Sequence, residues 1–176
     1  MDREKEVNIY SIGHGNKSVD QLVEELNWFN IRYVIDVRSK PYSRYNPQFN
    51  KEALEHSMKA NGFHYIFMGH QIGGIPEDDA VYTNDKVDYN KLKDTDYFKI
   101  GLSRVIQAHE KGYKAVLMCG ETQPQHCHRT KLIGKELSKN NIPLLHIMKN
   151  RKVKDQATAL LEATKGLGDV DLFSSD

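Results

Sequence analysis

Five times along the chain a short β-branched or aromatic run gives way to a stretch with helical periodicity. No other feature of the 176 residues constrains the fold as much. The runs are Val7 to Ile12, Tyr33 to Val37, His64 to Met68, Ala115 to Met118 and Leu144 to Met148. Mostly apolar runs of this length suit strands covered on both faces. Behind the first, Ser18 with Gln21 three residues on reads as a capping box, and Val19, Leu22, Val23, Leu26 and Phe29 recur on one helical face. Asn50 caps a second helix that reaches Asn61, with Gly62 as its stop. Thr95 or Asp96 opens a third, turning Phe98, Leu102, Val105 and Ile106 inward and ending at Gly112. Lys131 to Lys139 and Lys154 to Lys165 complete the helices. The alternation predicts an α/β fold: a five-stranded, mostly parallel sheet with helices on both faces. Right-handed crossovers would make it a three-layer arrangement, Rossmann-like or flavodoxin-like.

One domain over residues 1–176 accounts for all of this, and a chain of this length buries roughly 70% of its unfolded surface without disulfides or a structural metal. Its hydrophobic fraction, 39%, is lean, but nine Tyr, six Phe and one Trp spread along it argue against disorder. Residues 167–176 read as a frayed tail. The stretch from Gly69 to Lys93 lacks a sustained period, and loops that long are usually functional or mobile. Lys and Arg number 25 against 24 Asp and Glu, so bulk charge suggests neither DNA coating nor membrane-surface binding. An anion site would have to be a local cluster. The mixed-charge N-terminus does not read as a signal peptide, no apolar run is long enough to span a bilayer, and two cysteines do not make a secreted disulfide scaffold. The expectation is a cytoplasmic protein with no membrane partner.

In sheets of this kind ligands bind beyond the carboxyl ends of the strands. The residues there are Gly13-His14-Gly15, Asp36-Val37-Arg38, Gly69-His70 and Cys119-Gly120-Glu121. The loop after the fourth strand runs on to Cys127-His128-Arg129 at or near a helix N-terminus, where the helix field and a neighbouring arginine favour a thiolate. A buried Cys119 ending its strand as a small hydrophobe is the plainer alternative for that residue. Nine residues separate Cys119 from Arg129, too many for a phosphatase-type loop. Seven lie between the two cysteines, wider than the usual structural zinc pairing. If a metal is bound, Cys119, Cys127 and His128, with Glu121 nearby, are its candidates. A transient disulfide across the loop is a further alternative.

The loop after the second strand interleaves Arg38, Lys40 and Arg44 with Tyr42, Tyr45 and Phe49, a mixture that suits a phosphate, a nucleotide or a single strand. A solvated loop with its aromatics packed down is the alternative. Gly13 to Ser18 lacks the third glycine of a dinucleotide fingerprint, so a tight turn and N-cap fit it better, although Asp36 stands where a ribose-binding acid would fall. His14 and His70 share the same sheet edge.

These pieces in this order resemble the family called domain of unknown function 488 over about residues 8–150. The resemblance rests on Ser11-Ile12-Gly13-His14-Gly15-Asn16, on Asp36-Val37-Arg38 continuing to Ser43-Arg44, and on Asn46-Pro47-Gln48-Phe49-Asn50. Gly73-Gly74, Cys119 with Glu121, and Cys127-His128-Arg129 complete it. It implies that these polar positions belong to one site and gives neither reaction nor cofactor.

Three functions remain open. The first is an enzyme acting on a phosphorylated, nucleotide or nucleic-acid-derived substrate. Arg38, Arg44 and Arg129, with Asp36, Gly73 and Gly74, would bind the substrate, and Cys119, Cys127, His128, Glu121 and His14 would supply the chemistry. The second is a metal-dependent hydrolase or sensor. The third is a non-catalytic module binding nucleic acid or a partner.

Overall fold

The computed structural model describes residues 6–165. Its strands are β1 (Ile9–Gly13), β2 (Tyr33–Asp36), β3 (His64–Phe67), β4 (Tyr82–Thr83), β5 (Lys86–Val87), β6 (Ala115–Cys119), β7 (Leu144–Ile147) and β8 (Val153–Asp155). Its α-helices are α1 (Val19–Trp28), α2 (Lys51–Ala60), α3 (Gly69–Ile72), α4 (Tyr89–Leu92), α5 (Asp96–Glu110), α6 (Lys135–Lys139) and α7 (Gln156–Lys165). The five expected strands pair in parallel in the order β3-β2-β6-β1-β7, and a sixth, β8, closes the edge antiparallel to β7. Asn150 and Arg151, both left-handed at φ 58° and 60°, turn the chain back for that pairing. Three residues are too few to show an alternation, so Lys154 reads in the sequence as the start of a helix; the helix starts at Gln156 instead.

The layering follows from strand alternation. In β6, Ala115 and Leu117 face one cluster while Val116 and Met118 face the other, all of them fully buried. α1 and α2 cover one face with Leu22, Leu26, Leu54 and Met58; α3, α4, α5 and α6 cover the other through Ile72, Leu92, Phe98, Val105 and Leu137. Each such side chain contributes on the order of 2 kcal/mol by leaving water. The Ser18–Gln21 capping box forms as its spacing predicts. Asn50 sits at the N-cap of α2 but its side chain accepts from Ser43 N instead, tying the preceding loop down. The Gly69–Lys93 stretch is folded: α3, the β4–β5 hairpin and α4 occupy it.

The strand order differs from both the Rossmann and the flavodoxin arrangements, and it builds the site. β1 lies between β6 and β7, with Gly13 opposite Cys119 and Ser11 opposite His146; β2 flanks β6 on the other side, with Asp36 opposite Met118. Beyond β1 the ladder continues, His14 N donating to Cys119 O and Gly15 N to Gly120 O. Side chains more than a hundred positions apart therefore meet on one rim. Gly13 is required there, because a Cβ would overlap the Glu121 carbonyl.

Candidate active site

The chain leaves β6 through Cys119, turns through residues 120–126 and re-enters the core at Cys127. The sequence suggests an α-helix from Lys131, but the chain forms a π-helix over Arg129–Gly134 that passes into α6. The wider π turn lets Arg129, Thr130, Leu132, Ile133 and Gly134 all be buried, more than one face of an α-turn would hold. Gly134 makes room for the Gln156 side chain, which a Cβ would strike.

Arg129 is the largest fully buried side chain among the described residues, 1% exposed. Its Nε donates to Cys127 Sγ at 3.2 Å, its Nη1 to Ser11 Oγ at 2.8 Å, and its Nη2 to the Glu121 carbonyl. Among the described residues no carboxylate forms an ion pair with it. A buried guanidinium needs an opposite charge, and the atom in position to carry one is the sulfur. Cys127 is correspondingly held well below the usual thiol range by a hydrogen bond from Cys119, by His128 and by the Arg129 charge, against the opposing effect of burial. Cys119 is pushed the other way, by that same hydrogen bond and by burial. The pair is a thiol donating to a thiolate.

His128 Nε2 lies 3.1 Å from the Val37 carbonyl, which can only accept, so Nε2 carries the hydrogen. Nδ1 is left facing Cys127 Sγ at 3.6 Å, free to accept a proton. Gly74 packs against this ring; a Cβ there would sit 2.8 Å from its Cγ.

Behind Arg129 a buried chain of polar groups runs through Ser11 and His146 to Gln156. The Ser11 hydroxyl accepts from Arg129 and donates to His146 Nδ1 at 2.5 Å, His146 Nε2 donates to Gln156 Oε1 at 2.8 Å, and Gln156 Nε2 donates to Thr130 O. Burial above all lowers the His146 pKa to about 4, so the ring is neutral and its tautomer is set by its partners. No motif captures this network, but the sequence carries a signal for it: Ser11 and His146 are polar residues flanked by apolar neighbours within buried strands.

A second buried cation stands across the rim. Arg38 Nε and Nη2 clamp the two oxygens of fully buried Asp36 at 2.9 and 2.7 Å, and Nη2 also donates to Phe49 O. Tyr65 donates its hydroxyl to the same carboxylate at 2.6 Å. Arg38 Nη1 reaches His14 Nε2 at 3.2 Å, while His14 Nδ1 donates to Gly15 O and the ring stacks on Phe49 at 4.3 Å. Burial first, and Arg38 after it, lower the His14 pKa to about 4. Both ring nitrogens are engaged within the protein, so His14 orients Arg38.

His14, Arg38, Ser39, Lys40, Cys119 and His128, with Gly74 and Glu121, line a cleft of about 430 Å³ at the carboxyl edge of the sheet. Cys127, only 4% exposed, lies just beneath it, so the loop cysteine is the buried one and the strand-end Cys119 is only partly buried. Glu121 stands at the rim, its carboxylate accepting from Gln123 N. Arg44 does not line the cleft. It is exposed and turned onto the Tyr45 ring at 4.9 Å, because the loop places its aromatics outward there. Gly73 is also outside the lining and closes against Ser39 and Gly69. A larger hollow of about 880 Å³ lies between α4, α6 and α7, lined by Lys131, Lys135 and Leu160 among others. It contains none of the groups described above, so chemistry rather than size marks the site.

Cys119 Sγ, Cys127 Sγ and a His128 ring nitrogen lie within 4.8 Å of one another, close enough to hold a metal ion. Charge argues against it. Two thiolates would cancel a dication and leave Arg129 buried without a counter-charge, whereas one thiolate and Arg129 balance without any metal.

The fold and site define an α/β protein with a paired-cysteine, arginine-backed rim. The chain belongs to the family described as Domain of unknown function DUF488, whose model matches residues 18–135, including Arg38, both cysteines, His128 and Arg129. No curated protein and no solved structure matches it. Among the described residues no helix is long and apolar enough to cross a membrane.

Proposed function

We propose that the protein is an enzyme whose Cys127 thiolate attacks an electrophilic centre of a small phosphorylated or nucleotide-like substrate held in the cleft. The observation that carries this is the bond from Arg129 to Cys127 Sγ, a carboxylate-free guanidinium that favours the ionised sulfur. In this mechanism His128 Nδ1 takes up a proton as the anionic substrate enters and gives it to the leaving group, while Val37 O fixes the ring. Arg129 and Arg38 have their charges matched by Cys127 and Asp36, so direct contact with an anionic substrate falls to Lys40, the remaining Nη1 hydrogen of Arg38 and the Ser39 hydroxyl. Cys119, His14 and Asp36 act by holding these groups in place.

Release of p-nitrophenol from p-nitrophenyl phosphate and p-nitrophenyl acetate, generic phosphoryl and acyl donors, tests the reading. The wild type should exceed buffer with at least one of them, Cys127→Ser should abolish the excess, and Lys40→Ala should raise KM for the phosphoryl donor. Equal release by wild type and Cys127→Ser overturns it.

A further inference from the structure

We infer that Cys119 and Cys127 are also a redox pair that reduces a hydroperoxide and closes into a reversible disulfide. The inference shares the Cys127 thiolate with the proposed function but not its substrate. Its ground is the juxtaposition itself: two free sulfurs within 4.8 Å of each other, one open to the cleft and one beneath it, with His128 and Arg129 on the buried sulfur. A disulfide needs about 2 Å between sulfurs, so closure asks for a movement of under about 3 Å.

The chemistry balances with a hydroperoxide as the oxidant. Cys127 S⁻ attacks the outer oxygen of ROOH, the O–O bond breaks, and the departing RO⁻ takes a proton from water, which had received the one the Cys127 thiol released. Two electrons have moved from sulfur to peroxide, leaving Cys127–SOH and ROH. Cys119, as thiolate, then attacks Cys127 Sγ. The S–S bond forms, the S–O bond breaks, and hydroxide leaves with the Cys119 proton as water.

The second step is prepared by the first. Cys119 is kept protonated mainly by its bond to the Cys127 thiolate, while Arg129 favours its ionised form. Sulfenic acid formation removes the thiolate and leaves the guanidinium, so the block on Cys119 lifts once it is needed. The disulfide, in turn, carries no charge to balance buried Arg129. The reduced state is therefore the stabilised one, and the bond is labile to ordinary thiols, as in oxidoreductases whose reduced thiolate is stabilised.

The test uses the full-length wild type at neutral pH with one equivalent of hydrogen peroxide, read by intact mass and by thiol count after unfolding. Loss of both thiols and of two hydrogens in mass, reversed by dithiothreitol, is expected. Cys119→Ser should instead gain one oxygen, on Cys127, trapped by dimedone. Retention of both thiols in the wild type, or oxygen added to a sulfur with no disulfide, overturns the inference; neither result depends on a variant folding. Alkylation of Cys127 together with either failure leaves the nucleophile of the proposed function standing. A disulfide that forms in a protein inert to both chromogenic donors sinks the proposed function alone.

Discussion

Arg129 places its Nε 3.2 Å from Cys127 Sγ and commits its other nitrogens to Ser11 and the Glu121 carbonyl, with 1% of its surface exposed. The thiolate that the proposed function uses as its nucleophile is thereby a structural group as well. It neutralises a charge that would otherwise sit alone between the sheet and the π-helix.

Cys127→Ala should consequently destabilise the protein far more than its small volume warrants. Removing one partner of a buried pair costs about 3–5 kcal/mol, because the survivor is left uncompensated. Cys119→Ala, which removes a neutral thiol beside the cleft, should cost about 1 kcal/mol. Urea unfolding of the two variants makes the comparison, and Arg129→Met combined with Cys127→Ala should recover part of the loss. A Cys127→Ala protein as stable as Cys119→Ala would rule out the ion pair.

The same pair predicts how alkylation depends on pH. Reaction with iodoacetamide tracks the thiolate fraction, so the inflection for Cys127 should fall well below the free-thiol value of about 8.5. Cys119, pushed up, should react only at the alkaline end. Burial slows the absolute rate of Cys127, so peptide mapping should monitor the midpoint. Arg129→Lys, which keeps the charge but not the fork, should move that midpoint up only in part. Coincident midpoints for the two cysteines would contradict the assignment.

Much of this rim is legible in the sequence, and the reasons are local. Each strand run shows in its apolar composition, and the strand-end rule then selects His14, Arg38, Cys119 and Glu121, which the structure brings to one cleft. The hidden part depends on which strands are neighbours. Nothing local says that β1 inserts between β6 and β7, and that insertion sets Ser11 beside His146. Asp36 reads as a ligand-binding acid only so long as Arg38, two residues on, is free; the fork between them forms when both are buried. Arg44 carries the same side chain as Arg38 but lies eight residues beyond the strand rather than two, and it faces solvent. The π-helix leaves no periodic signature, since its six residues span little more than one turn.

Protein purified without a histidine tag should hold less than about a tenth of an equivalent of zinc or iron, and added chelator should leave its melting temperature unchanged. The charge balance at Arg129 is the reason, and elemental analysis is the measurement. Stoichiometric zinc that survives dialysis and is lost in Cys119→Ser would instead favour the metal-dependent alternative.

Acid stability depends on the two buried imidazoles. His14 and His146 both have pKa values lowered from 6.5 to about 4, chiefly by burial, so the folded state holds them neutral while the unfolded chain protonates them below about pH 6.5. Their contribution is complete above that value and is lost progressively as pH falls toward 4, on the order of 3 kcal/mol for each ring. Carboxylates join the loss at the acid end, so the informative window is about pH 7 to 5. His146→Asn keeps a donor and an acceptor between Ser11 and Gln156 without a titrating group. Its unfolding free energy should be lower than the wild type's at neutral pH and should fall less steeply across that window. His14→Gln should behave likewise, and the double variant should keep only the slope of about 1.4 kcal/mol per pH unit left by the Cys127 thiolate, which the unfolded chain protonates throughout this window. Slopes identical to the wild type in both single variants would mean that neither ring is held neutral by the fold.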